Sequence, residues 1–133
     1  MGLCATAKGL DAETEFDCGY LTYGLFLLNL AHTYNPEIGE MFESICKGNR
    51  LTERQAERWD EICNDDLDIL LFHSDCDGKF TPQECRRIYN AIKDLHMDMQ
   101  GHNYVVMKPY NMLEHWKNIF SHCAKRRVNL YYS

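Results

Sequence analysis

The sequence predicts a mainly α (α+β) fold: five to six helices packed with a small sheet formed by the N- and C-terminal strands. Three observations carry this expectation. Helix-start signals stand at Asn35-Pro36, at Thr52 to Gln55 and at Thr81 to Glu84. Apolar residues follow each of them at helical spacing. Both ends of the chain instead alternate apolar and polar residues, the period of a strand. With 133 residues, 45% of them apolar, the chain suits one domain, 1–133, with a real core.

Leu3 to Lys8 alternates modestly and is expected to be a short strand, while the acidic Asp11 to Asp17 reads as a loop. Tyr20 to His32 is apolar nearly all round, the mark of a helix in the middle of a core. Asn35 caps the next helix and Pro36 opens it, since proline lacks an N–H that the first turn leaves unused anyway. Ile38, Met41, Phe42 and Ile45 give that helix its inner face, and Gly48 ends it. Thr52-Glu53-Arg54-Gln55 is a capping box, in which the side chains at the two ends satisfy each other's backbone N–H. Ala56, Trp59, Ile62 and Cys63 are the expected inward stripe. After Asn64-Asp65-Asp66, Leu67 to Phe72 reads as a further short helix.

Thr81-Pro82-Gln83-Glu84 is the strongest helix start, combining a box with proline at the first position. Cys85, Ile88, Tyr89, Ile92 and Leu95 form its stripe. Tyr104 to Met107 reads as extended, and a last helix is expected from about Tyr110 to Arg126, with Trp116 and Phe120 inward. Val128, Leu130 and Tyr132 alternate with Asn129 and Tyr131, so the end reads as a strand. A lone strand leaves backbone groups unpaired at a cost, so the two terminal strands are expected to pair with each other.

The net charge of −6 argues against direct nucleic-acid binding, which needs clustered Lys and Arg. Lys125-Arg126-Arg127 is the one basic run, and its simplest role is to complement a helix C-terminus. The longest apolar run, Leu25 to Leu28, is too short to span a membrane. Met1 to Cys4 lacks the charged and apolar regions of a secretory signal. Its M-G-x-x-x-T pattern formally matches N-myristoylation, but a first strand is the preferred reading. Seven cysteines without a CxxC pair then suggest free thiols in a reducing compartment. Zinc fits poorly: His122 and Cys123 are adjacent and face differently on a helix, leaving Cys76 with Cys85.

One loop has a chemical grammar. His73 to Glu84 follows one helix, opens another, and resembles the twelve-residue EF-hand calcium loop. Asp75 and Asp77 fall at the third and fifth positions, and Gly78 at the sharp turn. Lys79 would offer its backbone carbonyl, and Glu84 the bidentate carboxylate. His73, however, stands where the first oxygen ligand belongs, and calcium prefers oxygen to imidazole. Turn and capping chemistry accounts for the same residues without a metal, and no cofactor is expected.

The opening Met1-Gly2-Leu3-x-x-Thr6-Ala7 resembles the start of small uncharacterised bacteriophage and prophage proteins. Their helix–loop–helix motif is similar to Phe72-His73-Ser74-Asp75-Cys76-Asp77-Gly78 here, and their aromatic last helix and strand to Trp116 through Tyr132. The likeness covers roughly half of the chain and leaves residues 9 to 65 unmatched. It implies a phage or prophage setting and little more; the cytoplasm of a bacterial host cell and a host protein partner are the accompanying expectations. No nucleophile elbow, phosphate loop or zincin helix is present. The leading expectation is therefore an acidic interaction protein that binds a macromolecular partner, for example as an inhibitor of a host defence or nucleic-acid-handling enzyme. A calcium-binding EF-hand-like module and a cysteine-dependent enzyme are the alternatives.

Overall fold

A computed structural model describes residues 2–9, 16–63, 65–73, 78–96 and 109–132. In chain order its elements are β1 (Gly2–Thr6), β2 (Phe16–Gly19), α1 (Tyr20–Tyr34), α2 (Pro36–Cys46), α3 (Glu53–Ile62) and α4 (Asp65–Leu71). β3 (Gly78–Phe80), α5 (Pro82–Ile92), α6 (Pro109–Arg126) and β4 (Leu130–Tyr132) complete them. The class is the expected α+β, and the start signals act as read. Asn35 accepts the Glu37 N–H at 2.8 Å. Both capping boxes close, at Thr52–Gln55 and Thr81–Glu84.

The terminal strands pair antiparallel, Ala5 opposite Tyr132 and Thr6 opposite Tyr131. They form the centre of a larger sheet than expected, with strand order β2-β1-β4-β3. β2 pairs with β1 and β3 with β4, both antiparallel. Two expectations are thereby corrected. Phe16 and Asp17 belong to a strand rather than a loop, and the segment before Thr81 contributes a strand of its own. Both gain ladder hydrogen bonds from partners that lie beside them only in the folded chain. The extended reading of Tyr104 to Met107 falls outside the described residues.

α1 fills the middle, with Tyr23, Phe26, Leu27, Leu30 and Ala31 all buried. α2 and α6 pack on it, α5 packs on α6, and α4 packs on α5. Trp116 is the aromatic hub. Its ring lies 5.7 Å from those of Tyr23 and Phe120, 5.8 Å from Tyr132 and 6.3 Å from Phe26. Helix, helix and sheet thus meet on one indole, and truncating such a side chain typically costs about 3–5 kcal/mol. Phe42, Trp59, Ile88 and Phe120 are buried as their spacing predicts. Ala56 is exposed instead, because α3 meets the body through Trp59 and Cys63 near its C-terminal end.

Lys117 lies buried in α6, with its ammonium at 2.6 Å from the Leu95 carbonyl and 3.1 Å from Glu114 Oε1. It supplies a donor just past the end of α5, where carbonyls lack helical partners. α6 ends in a tight return. Arg127 takes φ 56°, and the Val128 N–H reaches the Cys123 carbonyl at 3.1 Å. This is the Schellman arrangement, usually built on glycine, and it turns the chain into β4.

Candidate functional site

The His73–Glu84 segment was the sequence's best candidate, and each end of it is anchored. α4 runs out at Leu71, and His73 lies beneath β3. Its Nε2 is 3.1 Å from the Lys79 carbonyl oxygen. A carbonyl can only accept, so Nε2 carries the proton. The imidazole is seated 3.9 Å from the Phe80 ring and edge-on to Tyr132 at 5.5 Å. Gly78 turns at φ 112°, and a Cβ there would lie 3.2 Å from His73 Cε1, so a residue without a side chain suits this turn twice over.

The four candidate metal-binding residues are differently disposed. The Lys79 carbonyl accepts from His73. Glu84 Oε1 accepts the Thr81 N–H at 2.9 Å, and the Glu84 N–H donates to Thr81 Oγ1 at 3.2 Å. Both groups have capping or turn partners within the segment. Asp75 and Asp77 lie outside the described residues. Among the described residues, no group of three or more His, Cys, Asp or Glu side chains is gathered as a metal site.

The described thiols sit in different environments. The Cys46 thiol is pushed up by partial burial and by the nearby Glu43 carboxylate. Cys85 and Cys123 are buried against each other between α5 and α6; the hydrogen bond to Cys123, with burial, pushes the Cys85 thiol up, and the same bond lowers the Cys123 thiol. Cys63 Sγ donates to Asp68 Oδ1 at 3.4 Å. A reactive cysteine needs both a lowered pKa and access to solvent, and Cys123 is fully buried. Of the residues weighed for zinc, His122 contacts the Lys8 carbonyl at 3.1 Å and Cys123 faces Cys85.

A second feature escaped the sequence reading. Residues 1–77 carry sixteen acidic and five basic side chains, whereas residues 78–133 carry four acidic and nine basic. The signal was present in the sequence, but the net charge of −6 averages two halves of opposite sign. On the acidic side, Arg58 clamps Glu37 through two bonds, at 2.8 and 2.9 Å, and also reaches Glu61 at 3.3 Å. The Arg58 guanidinium holds the Glu37 carboxyl below the usual carboxylate range. Glu40, Glu53, Glu57 and Asp60 are also exposed on α2 and α3.

Phe72, 53% exposed just past the end of α4, leans on the same two helices. Its ring leans on Trp59 at 5.6 Å and on the edge of Phe42 at 6.0 Å. Below it, Trp59 Nε1 donates to Asp68 Oδ1 at 2.9 Å. A large apolar ring is therefore presented to solvent from a rigid support. Of the two tyrosines in β4, Tyr131 is 49% exposed and Tyr132 is buried. No helix among the described residues is long and apolar enough to cross a membrane.

The chain matches no family model, no curated protein and no solved structure.

Proposed function

We propose that this protein works by binding a basic macromolecular partner through its acidic half, with Phe72 as the central apolar anchor. The exposed Phe72 ring, fixed on Trp59 and Phe42, is the observation that carries this reading. Aromatic anchors on rigid supports dominate binding energy at protein interfaces. The exposed carboxylates of α2 and α3 would speed and orient the approach to a surface of opposite charge. The resemblance to bacteriophage proteins supports a phage or prophage setting. A host defence or nucleic-acid-handling enzyme, inhibited by occupation of its basic groove, is the class of partner proposed.

The test is capture from bacterial host lysate on the immobilised full-length protein, with and without calcium, using wild type and Phe72→Ala. The proposal expects a retained protein that is independent of calcium, released by raised salt and lost with Phe72→Ala. Truncating a central aromatic should weaken such binding by about 2 kcal/mol or more, roughly thirtyfold. Capture unchanged by Phe72→Ala would exclude this surface. Capture that appears only with calcium would favour the EF-hand-like reading.

A further inference from the structure

Residues 78–133, the basic part of the chain, carry a concave surface of their own. An open trough of about 720 Å³ runs between the start of α5 and the end of α6. Thr81, Pro82, Arg86 and Arg87 line one side, Ala124 and Arg127 the other. Arg87 is occupied, its Nε 2.6 Å from Asp66 Oδ1. Arg86 and Arg127 are exposed, and among the described residues neither forms an ion pair. The single carboxylate of α5, Glu84, is held by the Thr81 N–H in the capping box. The trough thus offers two uncommitted guanidiniums over a floor of proline, alanine and arginine stems.

We propose that this trough is a docking site for an acidic peptide segment of a partner protein, with Arg86 and Arg127 each taking a carboxylate. Guanidinium groups match carboxylates in paired, charge-assisted hydrogen bonds. The open form suits an extended chain better than a small molecule, which a pocket normally encloses on most sides. A nucleic-acid strand is disfavoured by the net charge of −6 of the whole chain, since backbone binding needs a wider cluster of Lys and Arg. The α5 N-terminus is not the attracting element, since Pro82 lacks an N–H and Glu84 already lies there. Arg127 also stands at a left-handed position where glycine would be less strained, so its side chain is present despite the backbone cost.

The position of Arg127 makes the test clean. Arg127→Gly removes the guanidinium while suiting φ 56°, so this variant should melt at an unchanged or higher temperature. Binding of a fluorescently labelled octaglutamate peptide to the full chain is followed by anisotropy at low salt. A glutamine peptide of the same length, a single-stranded oligonucleotide and inorganic phosphate serve as comparators. The expected result is binding of the glutamate peptide and not the glutamine peptide, weakened tenfold or more in Arg86→Ala/Arg127→Gly. Phe72→Ala should leave this binding intact, which separates it from the acidic-face interaction. The proposal is overturned if the glutamate peptide does not bind, or binds the double variant equally well. Tighter binding of the oligonucleotide, or displacement of the peptide by low millimolar phosphate, would likewise assign the trough to a different ligand.

Discussion

The hydroxyls of Tyr23 and Tyr132 meet at 3.0 Å inside the core, joining α1 to β4 across 109 residues of sequence. Their rings are perpendicular, with centroids 5.8 Å apart. The bond ties the central helix to an inner strand of the sheet, so it reports directly on the packing of the two layers.

Replacing either tyrosine by phenylalanine leaves the other hydroxyl buried without this partner. Each single change should cost about 1–3 kcal/mol. The double change should cost less than the sum of the two, because it leaves neither hydroxyl to satisfy. Chemical denaturation of the three variants measures this. Strict additivity would mean that the two hydroxyls do not depend on each other.

Gly39 and Gly24 should respond oppositely to alanine. A Cβ at Gly39 would collide with the His32 ring and lie 2.7 Å from the His32 Cα, where α1 meets α2. Backbone cannot retreat as a flexible side chain can, so Gly39→Ala should destabilise by about 1–3 kcal/mol or more. Gly24 lies in α1, exposed, with nothing within 4 Å of an added Cβ. Gly24→Ala should stabilise by about 0.5–1 kcal/mol through the higher helix propensity of alanine. Melting temperatures that move in the same direction would contradict the α1–α2 crossing.

The Thr81 box should tolerate chemistry that keeps its acceptors. Glu84→Gln preserves an oxygen for the Thr81 N–H and should be mild, whereas Thr81→Ala should cost about 1 kcal/mol. Calcium should leave the melting temperature of the wild type unchanged, because His73 fills the first ligand position and binds the Lys79 carbonyl itself. His73→Asp is the converse test. It restores an oxygen ligand while giving up the stacking on Phe80, so gain of calcium affinity would show that the loop backbone is shaped for the ion.

Glu37 gives the acid dependence a sign. Its pKa is depressed in the folded state, first by the hydrogen bond from Arg58 and also by the charge of that side chain. A depressed carboxylate contributes stability that is present above its unfolded pKa and is lost as pH falls through the folded value. Arg58→Ala should therefore raise the Glu37 pKa towards the usual range, read by carboxyl NMR titration. The pair is exposed, so its effect on stability should be small and should fade in salt. An unchanged Glu37 titration in Arg58→Ala would mean that the clamp does not form in solution.

Local chemistry made most of the helices legible. Asn35-Pro36, Thr52 to Gln55 and Thr81 to Glu84 start α2, α3 and α5 because a cap is made between residues at most three apart. Phe42, Trp59, Ile88, Trp116 and Phe120 could be assigned to the core because helical spacing places them on one face of each helix. The pairing of the two terminal strands also followed, since no other partner for either could be read along the chain. The sequence alone therefore determined the α+β class, the main helices and the closing of the termini.

Tertiary structure decided what depends on residues far apart. β2 and β3 lack the alternation that marks the C-terminal strand, and they become strands through the ladders offered by β1 and β4. Ala56 follows the helical period yet faces solvent, because period alone does not say how much of a helix its neighbours cover. The exposure of Phe72 depends on where α4 ends above Trp59 and Phe42. The trough depends on Arg86 of α5 and Arg127 just past α6 lining one surface, 41 positions apart in the chain. Caps and periods are local and can be read along the chain, whereas surfaces form from packing that brings distant residues together.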